Sequence, residues 1–110
     1  MHMAQGRLLD AAAAPANGEH FNRIVECDNV VIEQILSSSD DNPTVYVQEQ
    51  EEWVAVLDGS ATLDVDGTRV QLERGDWVLL PAGVPHRVVT TAPGTNWLAV
   101  HVHPASVSGH

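Results

Sequence analysis

Gly75-Asp76-Trp77-Val78-Leu79-Leu80-Pro81-Ala82-Gly83-Val84-Pro85-His86-Arg87-Val88-Val89-Thr90 is the stretch that decides the fold. It reads as a turn, a strand, a second turn and another strand. Gly75-Asp76 closes one element and opens the next. Trp77 to Leu80 is an apolar run too short for a helix. Pro81, Gly83 and Pro85 form a stiff corner, because proline fixes φ and glycine reaches φ > 0. His86 is the first polar residue after it, so the corner delivers one imidazole to a fixed place. A scaffold presents a ligand or a catalytic base in this way.

Upstream of that stretch the same grammar repeats. Thr44 to Leu57 reads as a long strand, kinked near Glu49. Asp58-Gly59 turns it, Ser60 to Val65 returns, and Asp66-Gly67 is a strong hairpin signal before Thr68 to Leu72. Phe21 to Glu26 and Val30 to Leu36 are two further strands, rich in β-branched residues and separated by Asp28-Asn29. Ser37 to Pro43 is a polar loop, and Asn96 to Val102 is the last strand. Short strands with Gly, Pro and Asp turns, and no long helix, predict an all-β sandwich or barrel.

Residues 1–20 form an N-terminal arm or a short helix over Leu8 to Ala14, stopped by Pro15 and Asn17-Gly18. Residues 21–103 make the barrel, and residues 104–110 a flexible tail. His2 and His20 are expected at the surface.

The pattern resembles the cupin family. Gly75, Pro81, Gly83 and His86 match the spacing of the second cupin motif, with Thr90 in place of its final asparagine. The first motif is half kept. Gly59 and Glu52 stand in its closing glycine and glutamate positions. Gln48 and Tyr46 replace its two histidines, and its leading glycine has no match. The run from Tyr46 to Val54 and the ending Trp97-Leu98-Ala99-Val100-His101 are similar to a subgroup of small bacterial cupins with Tyr-x-Gln and Glu-Trp. The resemblance covers residues 20–103 and implies a cupin jelly-roll β-barrel. It also implies pairing into homodimers.

Strand parity gives an independent reading, since alternate side chains share a face. Tyr46, Gln48, Glu52, Val54 and Val56 share one face, polar at one end and apolar at the other. That suits a barrel with a site near its mouth. Trp53, Ala55 and Leu57 then point outward and need cover, as in a dimer contact. Trp77 and Trp97 are expected as core or interface aromatics.

Glu52 and His86 can give a carboxylate oxygen and an imidazole nitrogen to one divalent ion. Gln48 adds an amide oxygen and Tyr46 a phenol oxygen. The set suits Zn, Mn, Fe or Ni without choosing among them. The same residues also suit a metal-free site in which Glu52 or His86 is a general base. A polar pocket that only satisfies its own hydrogen bonds is the third reading. Leu98, Val100 and Val102 look like the core face of the last strand, which leaves His101 and His103 outside. On the opposite parity His101 reaches the site as a ligand or a supporting residue. Arg87 faces away from His86 toward a surface ion pair. Cys27 is a packed or inert thiol.

Five Lys+Arg against fifteen Asp+Glu leave a formal charge of -10. That excludes nucleic acid and anionic membrane surfaces as natural partners. No apolar run approaches a membrane span, and Met1 to Gln5 lack the pattern of a signal peptide. A single cysteine excludes an internal disulfide framework and fits the cytoplasm. No nucleophile elbow, phosphate loop or dinucleotide fingerprint occurs. Two function classes follow. One is a metal-dependent oxygenase, isomerase or lyase acting on a small organic acid, a sugar or a related metabolite. The other is a module that binds or senses a small ligand.

Overall fold

The computed structural model describes residues 3–38 and 44–104. His2, most of the expected polar loop and all of the expected tail but Pro104 lie outside the described residues. Eight strands follow in order: β1 (Glu19–Cys27), β2 (Val30–Ser37), β3 (Glu51–Asp58), β4 (Ser60–Val65), β5 (Thr68–Glu73), β6 (Trp77–Leu80), β7 (His86–Thr91) and β8 (Thr95–Val102). The only helical element among the described residues is a single 3₁₀ turn, Ala11–Ala13. The expected helix over Leu8 to Ala14 is therefore corrected to that turn. Asp10 caps it, accepting a hydrogen bond from the Ala12 amide at 2.9 Å.

The strands form a five-stranded sheet, β1-β2-β8-β3-β6, and a three-stranded sheet, β5-β4-β7. Every pairing is antiparallel. Crossovers place β8 between β2 and β3, although they are far apart in sequence. Asp66 (φ 50°) and Gly67 (φ 87°) make the β4–β5 hairpin, both in the left-handed region that a two-residue turn requires. The result is a jelly-roll barrel.

The two sheets face each other over one core. Val54, Val56, Trp97 and Ala99 come from the first sheet, and Ala61, Leu63 and Leu72 from the second. Burying each large aliphatic or aromatic side chain is worth about 1.5–3 kcal/mol, so this layer carries much of the fold's stability. The N-terminal arm lies against the outside of the first sheet. There Gln34 accepts from the Leu9 amide at 2.8 Å and donates to the Leu9 carbonyl at 2.6 Å.

Further expectations need correction. The long strand from Thr44 is shorter: β3 starts at Glu51, after a bend at Glu49-Gln50, and Tyr46 makes only an isolated bridge to His86. Of the two aromatics expected as core or interface, Trp97 is the core one, 3% exposed, and Trp77, 62% exposed, keeps only the interface alternative. The inward face of β8 carries Thr95, Trp97, Ala99 and His101, not Leu98, Val100 and Val102. Cys27 is exposed rather than packed, and His20 is exposed as expected.

Candidate functional site

The corner read from the sequence is built as a corner. Gly83 donates its amide to the Gln48 carbonyl at 2.8 Å. Tyr46 and His86 exchange both backbone hydrogen bonds, at 2.8 and 3.0 Å. The segment carrying Tyr46 and Gln48 is thus stitched to the Pro/Gly/Pro turn. The Tyr46 and His86 rings stack, with centroids 5.8 Å apart. His86 opens β7 and is buried.

Glu52 sits on β3, 7% exposed, and faces the barrel interior beside Val54. Its Oε1 lies 3.9 Å from His86 Nε2 and 3.8 Å from His101 Nδ1. The second distance follows from register, because Glu52 and His101 are direct partners across β3 and β8. Burial pushes the Glu52 carboxyl above its ordinary range. His101 and His86 pull it down in part, and Glu33 and Glu19 push it further up.

His101 is held from behind. Its Nε2 lies 2.8 Å from Glu33 Oε1, and Gln50 Nε2 lies 3.4 Å from its Nδ1. An ionised Glu33 only accepts, so Nε2 carries a hydrogen toward it. Nδ1 is then the acceptor, taking the Gln50 amide hydrogen on the side that faces Glu52. Glu33, His101 and Glu52 form one chain of titratable groups from β2 through β8 to β3.

These residues line a cavity of about 90 Å³. A water's share of liquid volume is about 30 Å³, so the cavity takes a few waters or the reacting end of a small molecule. Its polar lining is Glu19, Glu33, Tyr46, Gln48, Glu52, His86 and His101. Ile35, Val54, Leu63, Leu80, Val88 and Trp97 form the apolar lining, with Phe21 at one wall. Gln48 Oε1 is buried and has no hydrogen-bond partner. A buried acceptor of this kind is rare in native proteins and calls for a donor or a cation.

The sequence reading therefore named Tyr46, Gln48, Glu52 and His86, and all four line one cavity. It set His101 mainly outside, and the structure turns it in. His103 is exposed, its ring 6.4 Å from that of His101. Arg87 is half-buried and stands opposite Asp64 across β4 and β7. Glu33 and Glu19 were missed. The available signal for Glu33 was its place between Val31 and Ile35, an acid on the inward face of an otherwise apolar strand.

The metal expectation can be tested on the donors. An ion about 2.1 Å from each of two donors keeps them within about 4.2 Å of each other. Glu52 and His86 meet that limit, and Gln48 offers a free oxygen. His101 is already engaged by Glu33. Among the described residues, no three His, Cys, Asp or Glu side chains form a ready metal cluster. One imidazole and two oxygens make a lean set.

Residues 34–101 match the cupin domain family. The chain is a cupin. Its all-antiparallel jelly roll of two facing sheets agrees with that membership. Among solved structures it is similar to a Ralstonia eutropha JMP134 protein assigned provisionally as a mannose-6-phosphate isomerase. The two are 32% identical, the match covers 90% of this cupin and 100% of that chain, and the TM-score is 0.74. A cupin superfamily protein from Desulfitobacterium hafniense DCB-2 has the same fold at 18% identity. It covers 93% and 95% of the two chains, with a TM-score of 0.78. The iron(II) form of HppE shares the fold at 21% identity and a TM-score of 0.65, over 76% of this cupin and 50% of that chain. No functionally curated protein matches the sequence significantly.

Proposed function

We propose that this cupin binds a small polar organic molecule inside its barrel, with Glu52 and His86 as the acid–base pair that acts on it. The observation that carries the reading is Glu52 itself: a buried carboxyl, raised by burial, lining a cavity and faced there by two imidazoles. Groups with shifted proton affinity, side by side in a cleft, are what proton-transfer chemistry requires. Gln48 orients the ligand through its unpartnered oxygen, and Tyr46 backs the His86 ring. His101 supports Glu52 from the far side.

An enzyme and a binding module differ in one readout. Metabolites that bind are incubated with the protein in D₂O. An acid–base enzyme such as an isomerase exchanges a carbon-bound hydrogen of its ligand for deuterium, and Glu52→Gln stops the exchange without abolishing binding. A pure binding module binds and exchanges nothing. If Glu52→Gln and His86→Ala bind every ligand as the wild type does, the site is wrongly placed.

A second reading is favoured by the free Gln48 oxygen and by the 3.9 Å between Glu52 and His86. In it Gln48, Glu52 and His86 hold a divalent ion, one of Zn, Mn, Fe or Ni, which would supply Lewis-acid chemistry. Elemental analysis of protein purified without chelator or nickel resin tests it. So does melting: an ion at a hundred times its dissociation constant adds about 2.7 kcal/mol of stability, and Glu52→Ala and His86→Ala remove that gain.

A second copy of the chain belongs on the outside of the five-stranded sheet. Val25, Ile32, Val100, Trp53 and Leu79 make a continuous cross-strand apolar row there. Trp77 lies beside it, its ring 6.1 Å from that of Trp53. The row carries no charge, so it is where a chain of net charge -10 can meet its own copy. The lone cysteine keeps the cytoplasm as the proposed setting. Among the described residues no helix is long and apolar enough to cross a membrane.

A further inference from the structure

The cavity is polar at one end and apolar along its length. Strand register sets out its rows. Glu52 and His101 are direct partners across β3 and β8, and Val54 and Ala99 pair two residues further along. Two residues beyond them, Phe21, Ile35, Trp97 and Val56 are successive partners across β1, β2, β8 and β3. At about 3.3 Å per residue, that apolar row lies roughly 13 Å from the row of Glu52. Phe21 ends it, 52% exposed, so the ring stands at the rim of the cavity.

At the apolar end the polar groups serve one another. Trp97 Nε1 donates to Ser37 Oγ at 2.9 Å, and Ser37 Oγ donates to Glu19 Oε2 at 2.8 Å. The indole has no second polar atom, so only its apolar ring surface is left for the cavity. Val54, Leu63, Leu80 and Val88 line the space between the two ends.

At the polar end the hydrogen-bonding groups are not all used. Glu33 is taken by His101, and His101 by Glu33 and Gln50. Gln48 Oε1 is buried without a donor. Glu52 and His86 stand 3.9 Å apart, beyond hydrogen-bond distance. A hydroxyl group entering there can donate to Gln48 and meet the acid–base pair. The chain has no lysine, and its five arginines are all described and none lines the cavity. A phosphate group would find no guanidinium or ammonium partner.

Resting on the first reading of the proposed function, we infer that the molecule this cavity takes is polar at one end only. A hydroxyl-bearing head sits against Gln48, Glu52 and His86. A hydrocarbon body lies over Trp97 and leaves past Phe21, which makes Phe21 a specificity-determining residue. A sugar carries hydroxyls along its whole body, and against Val54, Leu63 and Leu80 they find no partners. Each such loss weakens binding about fivefold or more. The sugar phosphate in the name of the 32% identical relative is therefore a poor fit to this chain.

The test uses the full-length, chelator-dialysed protein at pH 7 and four probes: n-butanol, n-hexanol, mannose and mannose 6-phosphate. Binding is read by NMR amide shifts. n-Hexanol should shift Phe21, Gln48 and Glu52 and bind about tenfold or more tighter than either sugar. It should also bind about fourfold tighter than n-butanol, as expected for two added methylenes half-buried against Phe21. Phe21→Ala should erase most of that advantage and leave n-butanol unchanged, and Phe21→Leu should restore part of it. Gln48→Leu, which keeps the volume, should weaken both alcohols by the same factor. The inference is overturned if either sugar binds as tightly as n-hexanol, if the two alcohols bind alike, if Phe21→Ala keeps the hexanol advantage, or if Gln48→Leu weakens neither. In those cases shifts still centred on Gln48 and Glu52 leave the binding site standing. Shifts confined to the outer sheet face, at Trp53 and Trp77, would instead overturn the site along with its selectivity.

Discussion

Gly59→Ala is the sharpest single perturbation of the frame that carries the site. Gly59 closes the first motif and turns β3 into β4 at φ 93°. A β-carbon there would lie 2.5 Å from Thr95 Oγ1 and 2.9 Å from Thr95 Cα. Thr95 cannot yield easily. It is fully buried, and its hydroxyl donates its one hydrogen between the Ala92 and Ser60 carbonyls, 2.7 and 3.0 Å away, while accepting from the Ser60 amide. Two costs add. Forcing alanine into the left-handed region costs about 1–2 kcal/mol. Overpacking against a fixed neighbour costs about 1–3 kcal/mol more. The total of about 2–5 kcal/mol is large against a domain stability of about 5–15 kcal/mol. Gly67→Ala is the control, since Gly67 has φ 87° with nothing within 4 Å of its β-carbon position. It should lose only the backbone share. Urea unfolding of both variants isolates the overlap with Thr95 as their difference. Equal losses would refute the close approach of Gly59 to β8, and with it the frame that registers Glu52 against His101.

Three further outcomes follow from the same structure. Glu52 has a folded-state proton affinity raised above its ordinary value, 4.5. Below that value the carboxyl is neutral in both states, and as pH rises through the raised value the folded protein must ionise it while buried. Wild type should therefore lose stability relative to Glu52→Gln as pH climbs from about 4.5, and urea midpoints at matched pH that run parallel would contradict the burial argument. Leu63, 2% exposed and lining the cavity, should cost about 2–5 kcal/mol as Leu63→Ala, and a calorimetric loss under about 1 kcal/mol would mean that the core is placed elsewhere. Trp77→Ser, at a 62% exposed position, should change monomer stability by about 0.5 kcal/mol or less yet weaken self-association in light scattering. An unchanged association state would remove the outer face as the contact.

The fold was legible because its signals are local. The Asp66-Gly67 turn, the Pro81 to Pro85 corner and the alternation of Glu52, Val54 and Val56 each act within a few residues. Each appears in the structure as read. The kink near Glu49 was read correctly, but the segment before it misled, because Tyr46 to Gln50 keeps strand-like composition while only Tyr46 makes a bridge. The hydrogen bonds that hold it run to His86 and Gly83, nearly forty residues away, and composition does not carry them. Glu33 and Glu19 escaped for a related reason. Neither lies in a motif, and they reach the cavity only through the β1-β2-β8 pairing.

β8 is the instructive case. In a sheet with one wet face, the apolar side of a strand marks the core. Here both sides are apolar: Trp97 and Ala99 inside, Leu98 and Val100 outside. Alternation then has no sign, and His101 can be read either way. The neighbouring strand breaks the tie. Glu52 on β3 is fixed inward by its motif position, and register makes His101 its direct partner, so both must share one face. A strand that is apolar on both faces is the mark of a sheet covered on both. The inner cover is the three-stranded sheet. The N-terminal arm reaches the outer face at Gln34, and the row from Val25 to Leu79 lies beyond that contact. The ambiguity that hid His101 and the argument for a second copy on the outer face thus have one physical origin.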